Sequence, residues 1–593
     1  MKKTISALLL LSFLCVSFAS CGGNTEKPEH VHDIVTVPGR SATCTEDGIS
    51  GKKYCSICGE VIQEVEVIPA KGHVVVKDEA IAPTCLQAGF SEGEHCSACG
   101  EIFKARDAIP ALGHNYENGV CTRCGDSEPT GIGLAYEEED GGLVLVGIGT
   151  CKDKNIVIPE SVDGKPVIAI GESAFERKPE DDEEKNKIKS IYIPSSVREI
   201  RENAFNGCTA LESVVISNGV ESIGDYAFIK CEKLISVEIP GSVEEIGSAA
   251  FFGCTGLIDF KLNEGTVSLG NHLLNGCDKL RTVDIPDSVE ELGISMLALC
   301  ESLVSVKLPA GIEEIGERLF SGSGIKSFVI PDSVTSIGKG AFSNCKSLAS
   351  ITIPDRVESI GMEAFRECTK LESITLPDSI TALERGVFYK CSRLTEVKLP
   401  TNIETISQEL FKECSSLVSI TLPDNIKTIE NESFQSCRSL KRVAMPEKLE
   451  TIKSRAFGEC TSLEEIYIPD SVKEMTGATF NGCVNLKNVR LPNGLTRIGM
   501  MTFMGCTSLE SITIPDSVTE IFGIGAFDGC TALEEVYLPA GLTLIWEKTF
   551  YGCKNLSDIY FAGTKAEWNA VEKQSEWDGK CGDYTVHCSD GDI

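Results

Sequence analysis

A repeat of 23 residues runs from about residue 188 to 562 and constrains the fold more than any other feature of the chain. Its frame reads A-F-x-x-C-x-x-L-x-S-V-x-I-P-x-S-V-x-x-I-G. The cysteine of this frame recurs at Cys208, Cys231, Cys254, Cys277, Cys300, Cys345, Cys368, Cys391, Cys414, Cys437, Cys460, Cys483, Cys506, Cys530 and Cys553, and Ser323 fills the remaining position. A unit of this length cannot bury its apolar side chains alone, so consecutive units must stack. With a divergent first turn at 175–194, the sequence predicts a solenoid of about seventeen coils.

Each repeat predicts one coil that contains a strand and a short helical turn. Apolar residues alternate in SITI at 350–353, as in a half-buried strand, and Pro354 closes it because proline cannot donate to a strand ladder. Apolar side chains then recur at the spacing of turns and short helices, and Gly361 is expected to provide a tight bend. The stacked strands would form a parallel sheet on the order of 80 Å long at about 4.8 Å per strand.

The frame AFxxCxxLxSVxIPxSVxxIG resembles the bacterial surface leucine-rich repeats of the BspA type, and the resemblance covers about residues 130–593. The last segment, which contains DIY, GTKAEW and VHC, is similar to the C-terminal cap of that family. The resemblance implies a curved leucine-rich-repeat solenoid at the cell surface, of a kind associated with adhesion to host or matrix proteins and to other bacteria. It implies no particular ligand, because binding partners differ among members.

The segments that flank the repeats break the period and are expected to cap the solenoid. Residues 127–187 contain the apolar stretches VLVGIGTC and IVIPESVDGKPVIAIG, followed at 177–187 by a charged insertion that is expected to be a solvated loop. Residues 563–593 are expected to close the other end of the 188–562 solenoid. Terminal repeats must be atypical, because an uncapped end would expose a cross-section of the core.

The N-terminus has the pattern of a secretory signal. Lys2 and Lys3 precede an apolar run at 7–18, which is followed by small residues and Cys21, so we expect a signal peptide at 1–20. The segment before Cys21 is similar to a bacterial lipobox, although Phe18 stands where leucine is usual, and this implies acylation of Cys21 and a lipid-anchored linker at 21–29. The alternative is an ordinary cleaved signal with Cys21 present by chance. No other apolar run reaches the ~18 residues of a membrane-spanning helix, so this lipid is the only membrane attachment that the sequence predicts.

A second repeat, with a period of 41, forms two and a half modules in residues 30–126. The two complete modules supply, in order, Cys44, Cys55, Cys58 and His73, then Cys85, Cys96, Cys99 and His114. A truncated third copy keeps Cys121 and Cys124. Three thiolates and one imidazole, two of the thiolates in a CxxC knuckle, form a ligand set for structural zinc.

The spacing leaves the grouping of these ligands open. The His can close the set of its own module, or the His that precedes each module can do so, in which case His32 serves the first module and His73 the second. Disulfide-closed spacers are the alternative to Zn²⁺, because CxxC pairs can oxidise after export. A catalytic zinc is not predicted, because four protein ligands leave no open position for a substrate.

The solenoid cysteines are expected to have a purely structural role. Each lies three residues after a core Phe and three before a core Leu, so the cysteines should stack in a buried ladder. Parallel neighbours have poor geometry for a disulfide, so we expect reduced thiols that pack as small hydrophobic groups. Sporadic disulfides or a metal are the alternative.

The outward positions of the predicted strands form one continuous face, which is mostly small and polar. Toward the C-terminus this face includes Arg442, Tyr467, Arg490, Tyr537 and Tyr560. Tyrosine and arginine are enriched at interface hot spots, which makes 442–560 a candidate ligand patch. The alternative explanation is that tyrosine has a high strand propensity.

The net charge and the absence of catalytic motifs reduce the classes of function that the sequence favours. The net charge of -33, from 88 acidic and 55 basic side chains, argues against nucleic acid as a partner. No P-loop, GxSxG or HExxH motif occurs. His587 and Cys588 are adjacent in sequence, and a strand would point their side chains to opposite faces. We therefore expect that the protein is not an enzyme. The sequence favours an exported protein that binds an extracellular protein or cell-surface ligand. An envelope spacer without a specific partner is the alternative, and a hydrolase is less favoured.

Overall fold

The computed structural model describes residues 34–37, 42, 44–45, 47–55, 61–85, 89–98, 100–109, 112, 115–117, 120–124, 131–176 and 187–593. The predicted signal peptide, Cys21 with its linker, and residues 177–186 of the charged insertion lie outside this range. Three of the predicted metal ligands, Cys58, Cys99 and His114, also lie outside the described residues, and Cys55 is described only as the last residue of a strand.

The repeats wind into a solenoid of about 19 turns with almost no helix, as the repeat period predicted. One strand of every coil lies beside the equivalent strand of the next coil, and we call this ladder the face sheet. Its strands run parallel and one repeat apart, in seven hydrogen-bonded segments, and in one of these Ser236 lies opposite Asp259. The strands of the face sheet are Asn155–Val157, Ser190–Ile193, Ser213–Ile216, Ser236–Ile239, Asp259–Leu262, Thr282–Asp284, Ser305–Lys307, Ser327–Val329, Ser350–Thr352, Ser373–Thr375, Glu396–Lys398, Ser419–Thr421, Arg442–Ala444, Glu465–Tyr467, Asn488–Arg490, Ser511–Thr513, Glu535–Leu538, Asp558–Phe561 and Thr585–Cys588.

A second parallel ladder, the side sheet, follows the proline of each repeat. In its two-residue strands from 199 to 545 the second residue is buried. Pairing is again one repeat apart, as with Ser359 opposite Ala382. The strands of the side sheet are Lys165–Ile170, Glu199–Ile200, Ser222–Ile223, Glu245–Ile246, Ser268–Leu269, Glu314–Ile315, Ser336–Ile337, Ser359–Ile360, Ala382–Leu383, Thr405–Ile406, Thr428–Ile429, Thr451–Ile452, Glu474–Met475, Arg497–Ile498, Glu520–Ile521, Leu544–Ile545 and Glu572–Lys573.

The A-F-x-x-C segment, for which the spacing predicted a short helical turn, forms consecutive turns instead. In one coil Tyr226 and Lys230 both have a φ of 57°, a left-handed conformation that interrupts a helix. The N–H groups of Phe228 and Lys230 donate to the carbonyls of Ala250 and Phe252 in the next coil. The backbone therefore bonds from coil to coil, and a third ladder takes the place of the helix.

The core between these ladders contains a column of stacked Phe rings with Leu and Cys beside it. Phe365 and Phe388 are fully buried, and their ring centres lie 5.8 Å apart. Burial of one such ring contributes about 1.5–3 kcal/mol. Gly361, which was expected to form a bend, serves close packing instead, because a Cβ there would lie 2.8 Å from the amide nitrogen of Lys339 in the preceding coil.

Residues 131–170 cover the first coil. The strands Ala135–Glu139 and Gly142–Gly147 form an antiparallel hairpin, and the second of them pairs in parallel with Lys165–Ile170 of the side sheet. Ser161–Val162 also pairs with Lys165–Ile170, in the antiparallel sense. Leu145 is fully buried in this arrangement, so the core is closed at its N-terminal end.

After residue 562 the 23-residue period ends, but the face sheet gains one more strand. The helix Lys565–Ala570 begins with a capping box between Thr564 and Glu567. Thr585–Cys588 then pairs in parallel with Asp558–Phe561, and Gly591–Asp592 covers its outer edge. Within the described residues this is the one α-helix, and no helix there has the length and apolar character to cross a bilayer.

The N-terminal modules consist of short antiparallel strands. Two three-stranded sheets are Ile34–Val37 with Lys52–Cys55 and Val61–Gln63, and Val75–Asp78 with Gly93–Cys96 and Ile102–Lys104. Three small pairs are Gly48–Ile49 with Val67–Ile68, Gly89–Phe90 with Ala108–Ile109, and Tyr116–Glu117 with Val120–Cys121. Many apolar side chains of these strands are exposed, Val67 by 64%. The modules therefore bury little apolar surface of their own.

Candidate binding face

The second module lies against the early strands of the face sheet. Asp78 forms an ion pair with Arg281, whose guanidinium also lies 3.5 Å from Nδ1 of His95. Burial alone would raise the pKa of Asp78, but the hydrogen bond and charge of Arg281 outweigh it and lower that pKa. Nζ of Lys326 donates to the carbonyl of Ser97 at 2.6 Å. The face sheet is therefore covered by protein near the strands Asp259–Leu262 to Ser305–Lys307.

Three of the predicted ligand-face residues meet on neighbouring strands farther along the face sheet. Arg442, Tyr467 and Arg490 line one shallow depression. The guanidinium of Arg490 lies 4.4 Å from the ring centre of Tyr467, a cation–π contact. Glu465 lies 3.2 Å from Arg442 and Asp470 lies 3.2 Å from Arg490, so a carboxylate holds each guanidinium in place. Tyr467 remains 51% exposed and is available to a partner.

The other two predicted residues begin a row of three stacked rings at the end of the face sheet. The rings of Tyr537 and Tyr560 lie 4.7 Å apart, and His587 continues the stack at 4.8 Å from Tyr560. The imidazole is held by Asp558, 2.8 Å from Nε2, and by Asp592, 2.9 Å from Nδ1. These hydrogen bonds, with that of Asp558 the stronger influence, raise the pKa of His587. The row thus ends in a ring that favours a positive charge.

The sequence analysis did not place His587 in this row. His587 lies opposite Tyr560 in the face sheet. The inserted helix Lys565–Ala570 makes the last step longer than 23 residues, so counting by the period does not reach His587. The signal available was the match between D-I-Y and T-V-H in the last two strands. Cys588 packs partly buried against the core on the other side of the strand, so it does not pair with His587.

We call the set of Arg442, Tyr467, Arg490, Tyr537, Tyr560 and His587 the C-terminal patch. Its chemistry is that of aromatic rings, guanidinium groups and the carboxylates that hold them. Aromatic rings stabilise a complex when a partner covers them, and tyrosine and arginine are enriched at interface hot spots. Elsewhere the outward positions are mostly Ser, Thr, Glu and Lys, so the patch differs from the rest of the face sheet.

The solenoid cysteines are buried thiols joined by no disulfide between residues 187 and 593. The thiol of Cys391 donates to the carbonyl of Phe365 in the preceding coil at 3.1 Å, and Cys368 and Cys414 repeat this contact. Burial raises the pKa of Cys391 to about 12. At Ser323 a hydroxyl occupies the same buried position. The ladder is therefore structural.

Among the described residues, predicted metal ligands of one module converge with those of the next. Two groups of ligand atoms, each lying within 4.8 Å of one another, are formed by Cys44, His73 and Cys96 and by Cys85, Cys121 and Cys124. Both groupings drawn from the sequence placed Cys85 with Cys96, whereas in the described residues these two cysteines lie in different groups. Each observed group takes a Cys from one module and a CxxC cysteine from the next.

Strand register explains this arrangement. Val75 lies opposite Cys96, so the strand that follows His73 brings the imidazole beside the second module's knuckle. The N–H of Gly72 donates to the carbonyl of Cys44 at 3.1 Å, which brings this thiol to the same place. Tyr116, one period of 41 after Val75, lies opposite Cys121 in the same way. Spacing alone could not show which module pairs with which.

The solenoid is similar to a known protein family and to proteins of known structure. The family model described as the BspA type leucine rich repeat region matches residues 150–241, 169–304, 222–349, 335–464 and 450–570. A leucine-rich repeat protein from Bacteroides ovatus, of solved structure, is 29% identical, with 65% of this chain and 94% of that chain covered and a TM-score of 0.52.

A leucine rich cell surface protein from Faecalibacterium prausnitzii is 25% identical, with 75% of this chain and 97% of that chain covered and a TM-score of 0.30. Among curated proteins no match is found. The family model covers well over half of the chain, and the solved structure from Bacteroides ovatus agrees with the fold. The chain belongs to the BspA-type leucine-rich-repeat family.

Proposed function

We propose that the protein is exported, is held at the cell surface by an acylated Cys21, and binds a protein or another cell-surface ligand through the C-terminal patch. The observation that carries this proposal is the stack of Tyr537, Tyr560 and His587 on a face that is mostly small and polar. The signal-like segment before Cys21 and the family's association with adhesion support the location. No catalytic role is proposed.

The geometry of the patch favours binding for a physical reason. The rings are already stacked, and the arginines are already fixed by carboxylates, so little side-chain entropy is lost when a partner docks. The chain as a whole is acidic, at -33, which suits a partner with basic groups. A partner's aromatic or basic side chain could lie across the exposed ring faces or against Asp470 and Glu465.

The test measures binding of the full-length chain to immobilised extracellular-matrix proteins and to whole bacterial cells. The double variant Tyr537→Ala/Tyr560→Ala is expected to weaken binding by about thirtyfold or more, the range of an interface hot spot. Tyr192→Ala is the matched control, because Tyr192 occupies the same column and is 40% exposed but lies at the other end of the solenoid.

Equal loss in the control and the double variant, or no loss in either, would contradict the role of the patch. If the chain binds none of these surfaces while it remains folded, the envelope spacer becomes the better explanation. The anchor is tested separately, because Cys21→Ala should abolish incorporation of a labelled fatty acid and release the protein into the medium.

A further inference from the structure

The cysteine and histidine side chains of the N-terminal modules meet in two places, and the first has the dimensions of a metal site. Sγ of Cys44 lies 3.7 Å from Sγ of Cys96, with His73 in the same group. A disulfide requires about 2.05 Å between the sulfur atoms. Two thiolates on one tetrahedral zinc ion, each about 2.3 Å from the metal, lie about 3.8 Å apart. The observed separation is too long for a disulfide and matches that of two ligands of one ion.

The second group repeats the arrangement. Sγ of Cys85 lies 3.9 Å from Sγ of Cys121, and Cys124 completes the described members. The paired registers are equivalent, with Val75 opposite Cys96 and Tyr116 opposite Cys121. Two places built by the same rule are unlike a chance cluster of thiols. We infer that consecutive modules share two structural zinc sites, one held by Cys44, His73 and Cys96 and the other by Cys85, Cys121 and Cys124.

The described members of each site are thiolate and imidazole donors. The first site has two thiolates and one imidazole, and the second has three thiolates. Such soft donors suit zinc rather than the hard cations that prefer oxygen.

This rule also explains why the third module is truncated. A further site would need a Cys one period after Cys85, and that position is Asp126. The third copy ends once His114, Cys121 and Cys124 have been supplied. At the other end, the position one period before Cys44 is Lys3, so the CxxC pair of the first module has no equivalent Cys ahead of it.

The surroundings of the first site match those of bound thiolates. The N–H of Ala98 donates to Sγ of Cys96 at 3.4 Å, and Cys96 is fully buried. Nε2 of His73 lies 3.2 Å from the carboxylate of Glu101, which helps to orient the ring. Gly100, with a φ of 85°, allows the tight turn that ends the knuckle.

The modules also need such a link. Their strands are short, and Val67 and Val75 are 64% and 52% exposed, so apolar burial contributes little to their stability. Domains of this size usually depend on a metal or on disulfides. A zinc ion between consecutive modules would join them into one unit.

The test counts the zinc that the reduced full-length chain retains against a competing chelator. Cys85→Ser/Cys96→Ser should lose two equivalents, because the substitutions strike both sites. Cys44→Ser/Cys96→Ser should lose only one, because both residues belong to the same site. Cys588→Ser, at the other end of the chain, is the control and should retain all the zinc of the unaltered protein.

Grouping within modules makes the opposite forecast, with one equivalent lost by Cys85→Ser/Cys96→Ser and two by Cys44→Ser/Cys96→Ser, and that pattern would overturn the inference. Retention of no zinc by the folded, reduced chain would also overturn it. So would a disulfide between Cys44 and Cys96, found by peptide mass spectrometry in protein isolated from its own cells. Substitution with Co²⁺ gives an independent readout, because tetrahedral thiolate ligation produces characteristic charge-transfer and d–d absorption.

Discussion

The solenoid and the N-terminal modules both repeat cysteine at a fixed period, yet they use it in opposite ways. In the solenoid every thiol donates to a carbonyl of the preceding coil, as Cys391 does to Phe365. In the modules the thiols turn toward one another, as Cys44 and Cys96 do. Parallel stacking keeps equivalent side chains side by side along a row, whereas antiparallel pairing brings non-equivalent residues face to face. Strand pairing of opposite direction therefore accompanies two different environments for a repeated thiol, a buried ladder in the solenoid and contact with another thiol in the modules.

The largest expected difference between the two regions follows from removal of the metal. Structural zinc contributes on the order of 10–16 kcal/mol to small domains, so a strong chelator at neutral pH should unfold the modules. Proteolysis should then cut within residues 44–124 faster by about two orders of magnitude or more. The fragment that contains 155–588 should persist, because its core is a continuous column of buried side chains.

Circular dichroism of the same samples provides the control, since the solenoid signal should not change on chelation. Re-addition of Zn²⁺ should restore protection of the modules. Protection that survives complete removal of metal from a reduced chain would break the proposed contrast between the two regions.

High pH should lower the stability of the solenoid rather than that of the modules. Burial raises the pKa of Cys391 to about 12, and the pKa values of Cys300 and Cys483 likewise, whereas an unfolded thiol titrates near about 8.5. A raised folded-state pKa means that the stability is fully present below the unfolded pKa and is lost as pH rises toward the folded one. Each buried thiol should cost up to about 1.4 kcal/mol per pH unit in this window.

The measurement is the melting temperature of the solenoid between about pH 8 and 10.5, where the unfolded thiols ionise and the buried ones do not. A variant with alanine at several ladder positions should show a shallower decline of the melting temperature with pH. This comparison separates the contribution of the thiols from that of lysine and tyrosine, which titrate in the same range. The same slope in both proteins would contradict the assignment. Low pH should instead destabilise the N-terminal modules, because protons compete with zinc for their thiolates.

The smallest effect is expected for Cys391→Ser. A hydroxyl can donate to the carbonyl of Phe365 as the thiol does, and Ser323 already occupies this position in another coil. The cost should be about 1 kcal/mol, the size of one modest change in a buried hydrogen bond. Denaturant unfolding of this variant, compared with Cys391→Ala, measures it. A loss of more than about 3 kcal/mol would show that the ladder thiols do more than pack.

Much of the solenoid could be predicted because its period, its strand pattern and its core positions all derive from one 23-residue unit. The parts that could not be predicted depend on contacts between units. Lys230 adopts a left-handed conformation because its N–H bonds to the next coil, and nothing in the local spacing reveals this. The extra strands Asn155–Val157 and Thr585–Cys588 lie in segments that break the period, so the expected seventeen coils fell short of about 19 turns.

The candidate sites show the same limit. Tyr537 and Tyr560 fall in the outward column by simple counting, and their stacking follows from parallel register. His587 was missed because a helix is inserted before it. The sequence could not show which cysteines of the modules meet, because the period gives the spacing of Cys44, Cys85 and Cys96 but not the pairing of Val75 with Cys96.

The docking of the second module on the early coils fixes where the N-terminal arm leaves the rod. The salt bridge of Asp78 with Arg281 lies several strands before Arg442. At about 4.8 Å per strand, roughly 30 Å separates Arg442 from the last covered strand, Ser305–Lys307. If the arm leads to the membrane and the late coils hold a neighbouring cell, the pull between them runs along the rod axis. The boundaries between coils on that path would then bear the load through backbone hydrogen bonds between coils and the stacked side chains of the core at once. A fold built by lateral repetition is thereby suited to resist traction.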